Sequence, residues 1–431
     1  MKTYLLLAAC FITLPAEAAD NWPSWRGPTA NGVAASAANP PTTWDATTNV
    51  KWKAAVPGRG SATPVVWGDQ VYVVTAVETD RVAKADELPT PSAAIERKTT
   101  APSNFFRFEV MSFDRETGKE RWKVTAAEKV PHEGRHETHS YAAGSPTTDG
   151  KRLYVSFGSF GVFAFDLDGK KIWERDLGRL NTRLGWGEAV TPVIHGETLL
   201  LNWDQEVGSK LIALDAATGK TKWEAKRDEK TSWNTPFVVE HAGKTQVIVN
   251  GTGKVRSYDF ADGKVIWEVG GMTVNAIPSP LAADGVAYVM SGYKGAAAVA
   301  VPLDAAGPAK PLWTYGKGTP YVPSPVLYDG RLYFTGVNSP MLTVLDAKTG
   351  QPLVANERLP AAGGFYGSPV AAAGRLYFTD RAGTTVVLKA GDKAEVLAVN
   401  KLGDRVDASP VAVGKTLFLR GEKFLWAISG K

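Results

Sequence analysis

The sequence predicts an all-β fold, an eight-bladed β-propeller of four-stranded antiparallel blades, with the last blade completed by an N-terminal strand. Three observations predict it. A Ser or Thr followed by Pro recurs at Thr63, Ser145, Thr191, Thr235, Ser279, Ser324, Ser368 and Ser409. A polar turn ending in Gly recurs at a fixed place within the repeat. The eighth repeat stops one strand short, while an orphan strand stands in phase near the other end.

The Ser/Thr-Pro spacings are 82, 46, 44, 44, 45, 44 and 41 residues. A near-constant period of this length, with β-branched and aromatic runs between Gly-rich turns, belongs to propellers and solenoids. The outlier is one repeat plus an insertion. From Thr191 one repeat reads as Val193 and Ile194, a turn at Gly196, Leu199 to Leu201, a loop, Leu211 to Leu214, a turn, and Trp223. That is four strands.

The turn before the last strand is DAATGK from Asp215 to Lys220, in which Asp can accept from nearby backbone N–H groups and Gly takes a positive φ. It recurs as DRETGK at Asp114, DFADGK at Asp259, DAKTGQ at Asp346 and a shortened DLDGK at Asp166. Trp122, Trp173, Trp223 and Trp267 follow these turns; at Val354 the Trp is absent, and the fifth and seventh repeats lack the turn. Leu417–Leu419 and Leu425–Ile428 supply the second and third strands of the eighth repeat, after which the chain stops. In the segment NVKWK, Asn49 to Lys53, Trp52 precedes Thr63 by 11 residues, as Trp313 precedes Ser324 by 11 and Trp223 precedes Thr235 by 12, so it is in phase to supply the missing strand. Pairing it there leaves no open blade.

Composition narrows the function. The net charge is +5 from 49 basic and 44 acidic residues, scattered without a Lys/Arg run, so no nucleic-acid footprint is expected. Residues 1–19 have the layout of a secretory signal peptide: Lys2, an apolar stretch from Tyr4 to Leu14, and Ala16-Glu17-Ala18. A periplasmic or extracellular protein follows. Leu7 to Cys10 also match a lipoprotein motif, but the apolar stretch runs past Cys10, which argues against acylation. Cys10 is the sole cysteine, so the mature chain would have no thiol. No other apolar run is long enough to span a bilayer. The expected organisation is a signal peptide, a lead-in at 20–48, and the propeller at 49–431 with a first-blade insertion at roughly 78–104 whose prolines and charges suggest loop or partial disorder. A monomer is expected.

With the Ser/Thr-Pro start and the Ala213–Trp223 end in hand, the repeat resembles that of the PQQ-like (pyrroloquinoline-quinone repeat) propellers over residues 49–431. That family includes quinoprotein alcohol dehydrogenases and the non-catalytic BamB-like periplasmic propellers, and the size here resembles the second group. The opening Asn21 to Gly32, NWPSWRGPTANG, is similar to the lead-in of exported PQQ-like propellers. The resemblance implies that Trp52, Trp122, Trp173, Trp223, Trp267 and Trp313 pack between blades. In the dehydrogenases it implies a vicinal Cys pair, a stacking Trp, a Ca²⁺ site and a catalytic Asp in the axial funnel; without a mature Cys, no cofactor is expected here, PQQ included. The WD40 alternative fails because Trp44-Asp45 and Trp203-Asp204 do not recur in phase.

His132, Glu133 and His136 form an HExxH match with His139 nearby. A zincin needs that motif on a helix, and Pro131 and Gly134 oppose one. The alternatives are a looser metal site through His132, His136 and His139, or a solvated polar loop. Propeller geometry gathers on one face, called upper here, the loops that enter each innermost strand. They carry Arg59, His139, Tyr141, Arg183, Trp186, Trp233, Asn234, Asn275, Tyr321, Tyr366, Arg405 and Asp407. Such a ring suits a protein, peptide or polar ligand. The expected function is a non-catalytic binding scaffold; the alternative is an enzyme with its site in the funnel, which includes a PQQ-dependent oxidoreductase.

Overall fold

A computed structural model describes residues 20–90, 95–361 and 363–430. Eight sheets surround one axis, each antiparallel and in simple up-down order outward from the axis. Blade 3 matches the reading of its repeat: Val193–His195, Thr198–Trp203, Lys210–Asp215 and Thr221–Lys226. Blade 4 gains a short parallel fifth strand, Gly307–Pro308, beside Val265–Gly270. Blade 8 is formed by Val411–Val413, Thr416–Arg420 and Phe424–Ser429, and its outer strand is Val50–Ala55, with Trp52 opposite Ala427 and Lys53 opposite Trp426. The ring therefore closes as the phase of Trp52 requires.

The Ser/Thr-Pro repeat builds the neck of the axis. Each hydroxyl accepts the backbone N–H of its counterpart in the preceding blade: Thr63 to Ser145, Ser145 to Thr191, Thr235 to Ser279, Ser279 to Ser324, Ser324 to Ser368, Ser368 to Ser409 and Ser409 to Thr63, all at 2.8–3.1 Å. A small hydroxyl satisfies the one donor that crowding would orphan, and the following Pro brings no second N–H to satisfy. Among the described residues the step from Thr191 to Thr235 lacks this bond.

The blade tryptophans explain the turn. Trp52, Trp122, Trp173, Trp223 and Trp313 donate their indole N–H to the carbonyls of Arg115, Leu167, Ala216, Phe260 and Ala347, each the residue after the turn Asp of the next blade. Their rings lie on the turn glycines: a Cβ on Gly118, Gly169, Gly219, Gly263 or Gly350 would sit 2.5–2.8 Å from them. Trp267 is the exception. Blade 5 lacks the turn, so Trp267 is fully buried and donates instead to Gln246, whose amide donates to the Leu303 carbonyl of blade 5. Apolar side chains fill the gaps between blades, as where Leu200, Leu211 and Ala213 of blade 3 meet Val247, Val249 and Tyr258 of blade 4.

The lead-in does more than connect. Trp22, fully buried, pairs its backbone with Val66, and Pro23 accepts from Thr148. Arg26, also buried, donates to the carbonyls of Pro325, Asn31 and Pro369. The chain then lies along Ala371, packs Trp44 on Tyr377, and reaches the outer edge of blade 8. The first-blade insertion also differs from its expected loop character. Its base continues the hairpin, with Val82 opposite Asn104. Its returning limb crosses to the loop before blade 3, where Lys98 N–H donates to the Leu184 carbonyl and Thr99 Oγ1 to the Gly185 carbonyl. Composition hid this because charged and polar residues such as Glu78, Asn104 and Arg107 stand in the ladder beside apolar ones.

Candidate functional site

The axis opens on the upper face into a cavity of about 320 Å³. Its walls are aromatic: Trp186, Trp233, Tyr293, Tyr321 and Tyr366, with His136 and His139 on one side. Below them the hydroxyls of Thr63, Ser145 and Ser409 mark the neck, and Trp25 of the lead-in lies across it, donating its indole N–H to Ser409 Oγ at 3.2 Å. Trp25 also lines the cavity on the lower side of the neck, about 520 Å³, together with Pro23, Arg26 and Thr29. The funnel is thus a blind pocket with an aromatic floor.

The wall is rigidly braced. Tyr293 and Tyr321 stack with centroids 4.6 Å apart, and Trp186 meets the edge of Tyr293. Trp233 donates its indole N–H to the Gly187 carbonyl at 2.8 Å. Arg381 lies 4.0 Å over the ring of Tyr366. The ionisable groups are committed to internal partners. Asp407 accepts from Arg381 at 2.7 Å and from Arg405 at 3.0 Å, while burial pushes its carboxyl up. His139 donates to the Glu188 carbonyl at 2.9 Å, and burial pushes its imidazole down to about 4, so it is neutral at neutral pH. His136, exposed at the mouth, shares a hydrogen bond with Thr138.

The structure sorts the expected ring. His136, His139, Trp186, Trp233, Tyr321 and Tyr366 line the cavity together with Asp407. Arg59 and Arg405 line a small side pocket with Arg420 and Glu422 that shares His139 and Asp407 with the funnel. Four positions stand elsewhere. Asn234 is buried in blade framework, donating to Ser232 and the Asn250 carbonyl. Asn275 is buried in the left-handed region at φ 58° and supports the Tyr321 hydroxyl from behind. Tyr141 turns away to the Glu133 carbonyl and packs on Phe106. Arg183 is not part of the cavity lining; its backbone N–H donates to Thr231 Oγ1. Two aromatic lining residues were missed. Tyr293 comes from a loop between second and third strands, and Trp25 comes from the lead-in, which the repeat does not govern.

The HExxH segment is irregular. His132 is buried and its Nε2 lies 2.7 Å from the Leu180 carbonyl, whereas His136 is at the funnel mouth. The trio of His132, His136 and His139 is therefore not brought together: it is a helix that sets residues four apart on one face, and this segment forms none. His132 is grouped instead with Glu133 and Glu188.

These features define the class of protein: a closed eight-bladed propeller whose axis ends in a blind, aromatic-walled pocket. The sequence model of the outer membrane protein assembly factor BamB matches residues 107–239, and the repeat and eight-bladed ring fit the PQQ-like β-propeller family. A polyvinylalcohol dehydrogenase of Sphingopyxis sp. (strain 113P3) is 29% identical over 238 residues, covering 43% of this chain; the match spans only 36% of that longer protein. Among solved structures, BamB from Moraxella catarrhalis superimposes with a TM-score of 0.54 at 14% identity, over 83% of this chain and 98% of that one. The quinohemoprotein alcohol dehydrogenase of Comamonas testosteroni gives 0.51 at 13% identity, over 96% and 82%. At these identities the structural likeness is one of fold.

Proposed function

We propose that the chain is a non-catalytic binding module that works outside the cytoplasm and captures, in its upper funnel, one flat-faced polar group of a peptide or small ligand. The observation that carries this reading is the lining. Aromatic faces and hydroxyls surround the cavity, and its two half-buried ionisable groups, His139 and Asp407, already hold internal partners. General acid-base or nucleophilic chemistry needs such a group free to reach substrate. The volume, near the lower bound for small-molecule sites, suits one or two side chains of a larger partner. Periplasmic work is supported by the likeness to BamB and by the layout of residues 1–19, which lie outside the described residues.

The dehydrogenases among the similar proteins raise the quinone cofactor. Of the set that the resemblance implies, this funnel offers three tryptophans, Trp25, Trp186 and Trp233, and an aspartate, Asp407. The described residues hold no cysteine, the two arginines occupy Asp407, and the His/Glu grouping able to hold an ion lies outside the funnel lining. The residues do not fit the group.

Binding is tested by tryptophan fluorescence and calorimetry against aromatic-containing peptides and small aromatic or sugar ligands. Saturable binding that Trp186→Ala and Tyr321→Ala each weaken at least 10-fold, with near-UV dichroism otherwise native, is the expected result. Dye-linked alcohol oxidation by the protein incubated with PQQ and Ca²⁺ would overturn it.

A further inference from the structure

We propose that His132, Glu133 and Glu188 form a buried binding site for a divalent transition-metal ion of the Zn²⁺/Mn²⁺ class, fastening the loops on either side of blade 2. The three residues come from two separate inter-blade loops, and their ligand atoms all lie within 4.8 Å of one another. His132 and Glu188 have side chains only 5% and 8% exposed, and Glu133 is 2% exposed. Tetrahedral ligands about 2.0–2.2 Å from zinc stand roughly 3.3–3.6 Å apart, so the loops close by up to about an ångström around the ion, and His132 Nε2 already lies 3.8 Å from Glu188 Oε1.

A second observation points to a cation independently of the grouping. Glu188 Oε2 accepts the Ser159 N–H at 2.7 Å, but Glu188 Oε1 is buried without any hydrogen-bond partner. It lies 3.8 Å from His132 Nε2. A buried carboxylate oxygen left unpaired costs more than the bond it would make. Nearby charge is mixed: Glu133, a second carboxyl group, acts on Glu188 and favours a cation, while two arginines oppose one. Arg97 of the insertion acts on Glu133, and Arg97 and Arg179 act on His132. Glu133 is oriented by Thr182, whose hydroxyl and backbone N–H donate to its two oxygens.

The donor set selects the ion. One imidazole with two carboxylates suits Zn²⁺ or Mn²⁺, whereas Ca²⁺ takes six to eight oxygens. For Nε2 to bind, the neutral imidazole carries its proton on Nδ1 instead, and the Leu180 carbonyl gives up its hydrogen bond. Entry is from the outer side, where His132 lines an open groove between blades 1 and 2 with Ser159, Phe160 and Arg179. Because the Glu188 carbonyl also holds His139, an ion here steadies the wall of the funnel.

The test uses the full chain, stripped with chelator and titrated with Zn²⁺, Mn²⁺ and Ca²⁺ in separate calorimetry runs. One equivalent of Zn²⁺ or Mn²⁺ should bind and raise the melting temperature, with Ca²⁺ at least 100-fold weaker. Glu188→Gln, which keeps shape, and His132→Ala should each weaken binding at least 100-fold. X-ray absorption at the zinc edge of the wild type, which needs no variant to fold, should show a single imidazole among oxygen ligands. No stoichiometric uptake, affinity unchanged in both variants, or preference for Ca²⁺ would overturn the proposal.

Discussion

At the scale of single residues, the recurring Trp and the recurring turn glycine are two halves of one contact, made between blades rather than within one. The Trp of each blade lies on the glycine of the next, so the loss of one partner should accompany loss of the other. The sequence keeps this rule where it departs from the repeat. Val354 replaces the Trp of blade 6 where blade 7 has no turn to receive it, and Trp267 faces the turnless blade 5 and reaches Leu303 through Gln246. The contact can be isolated by comparing two glycines of similar conformation. Gly196 and Gly219 have φ of 53° and 69°, but a Cβ meets nothing at Gly196 and would lie 2.8 Å from the Trp173 ring at Gly219. Gly196→Ala should cost about 1–2 kcal/mol for the left-handed backbone alone. Gly219→Ala should cost about 1–3 kcal/mol beyond that, because Trp173 must move. Denaturant unfolding midpoints of the two variants, compared with wild type, measure the difference; equal costs would remove the stacking from the explanation.

At the scale of elements, the turns act through their carboxylates. The Thr218 hydroxyl and backbone N–H hold the Asp215 carboxyl below the usual carboxylate range, and Thr349 does the same for Asp346. A carboxyl with a lowered folded pKa stabilises the fold above its unfolded value, about 3.9, and that contribution fades as pH falls through the folded value. Asp215→Ala should therefore cost about 1 kcal/mol at pH 7, and the gap from wild type should narrow in unfolding curves below about pH 4. A gap constant with pH would mean that the charge plays no part. The strands, turns and repeat phase were legible because each rests on local periodicity. The insertion was not: its hairpin continues in charged residues such as Glu78, Asp80 and Arg81, and only the bridge from Arg97 to Leu184 shows what it covers. The funnel was half legible. Loop position identified Trp186, Trp233, Tyr321 and Tyr366, but position cannot tell a side chain facing the axis from one buried behind it, as Asn234 and Asn275 are.

At the scale of the whole molecule, the N-terminal segment makes two separable contributions, and they predict different failures. Residues 50–55 supply the outer strand of blade 8; without them the backbone of Phe424–Ser429 becomes an open edge, and Trp52 no longer covers Gly118 of blade 1. Residues 20–34 instead seal the axis from below. Arg26 is held there by carbonyl dipoles, and burial pushes its guanidinium down to about 9. Deleting that stretch removes Trp22 and Arg26 from the lower side and Trp25 from the floor, so it weakens the protein more than an unstructured lead-in would. A chain beginning at residue 35 should remain monomeric, with a lowered unfolding midpoint and a funnel open at both ends. A chain beginning at residue 57 should self-associate through the open edge, because unpaired strand edges template pairing. Adding a peptide of residues 49–55 in trans should restore the monomer by filling that edge, as measured by light scattering and sedimentation. If the shorter chain stays monomeric and equally stable without the peptide, the ring is held by the remaining blades, and the seven hydroxyl links around the neck suffice to close it.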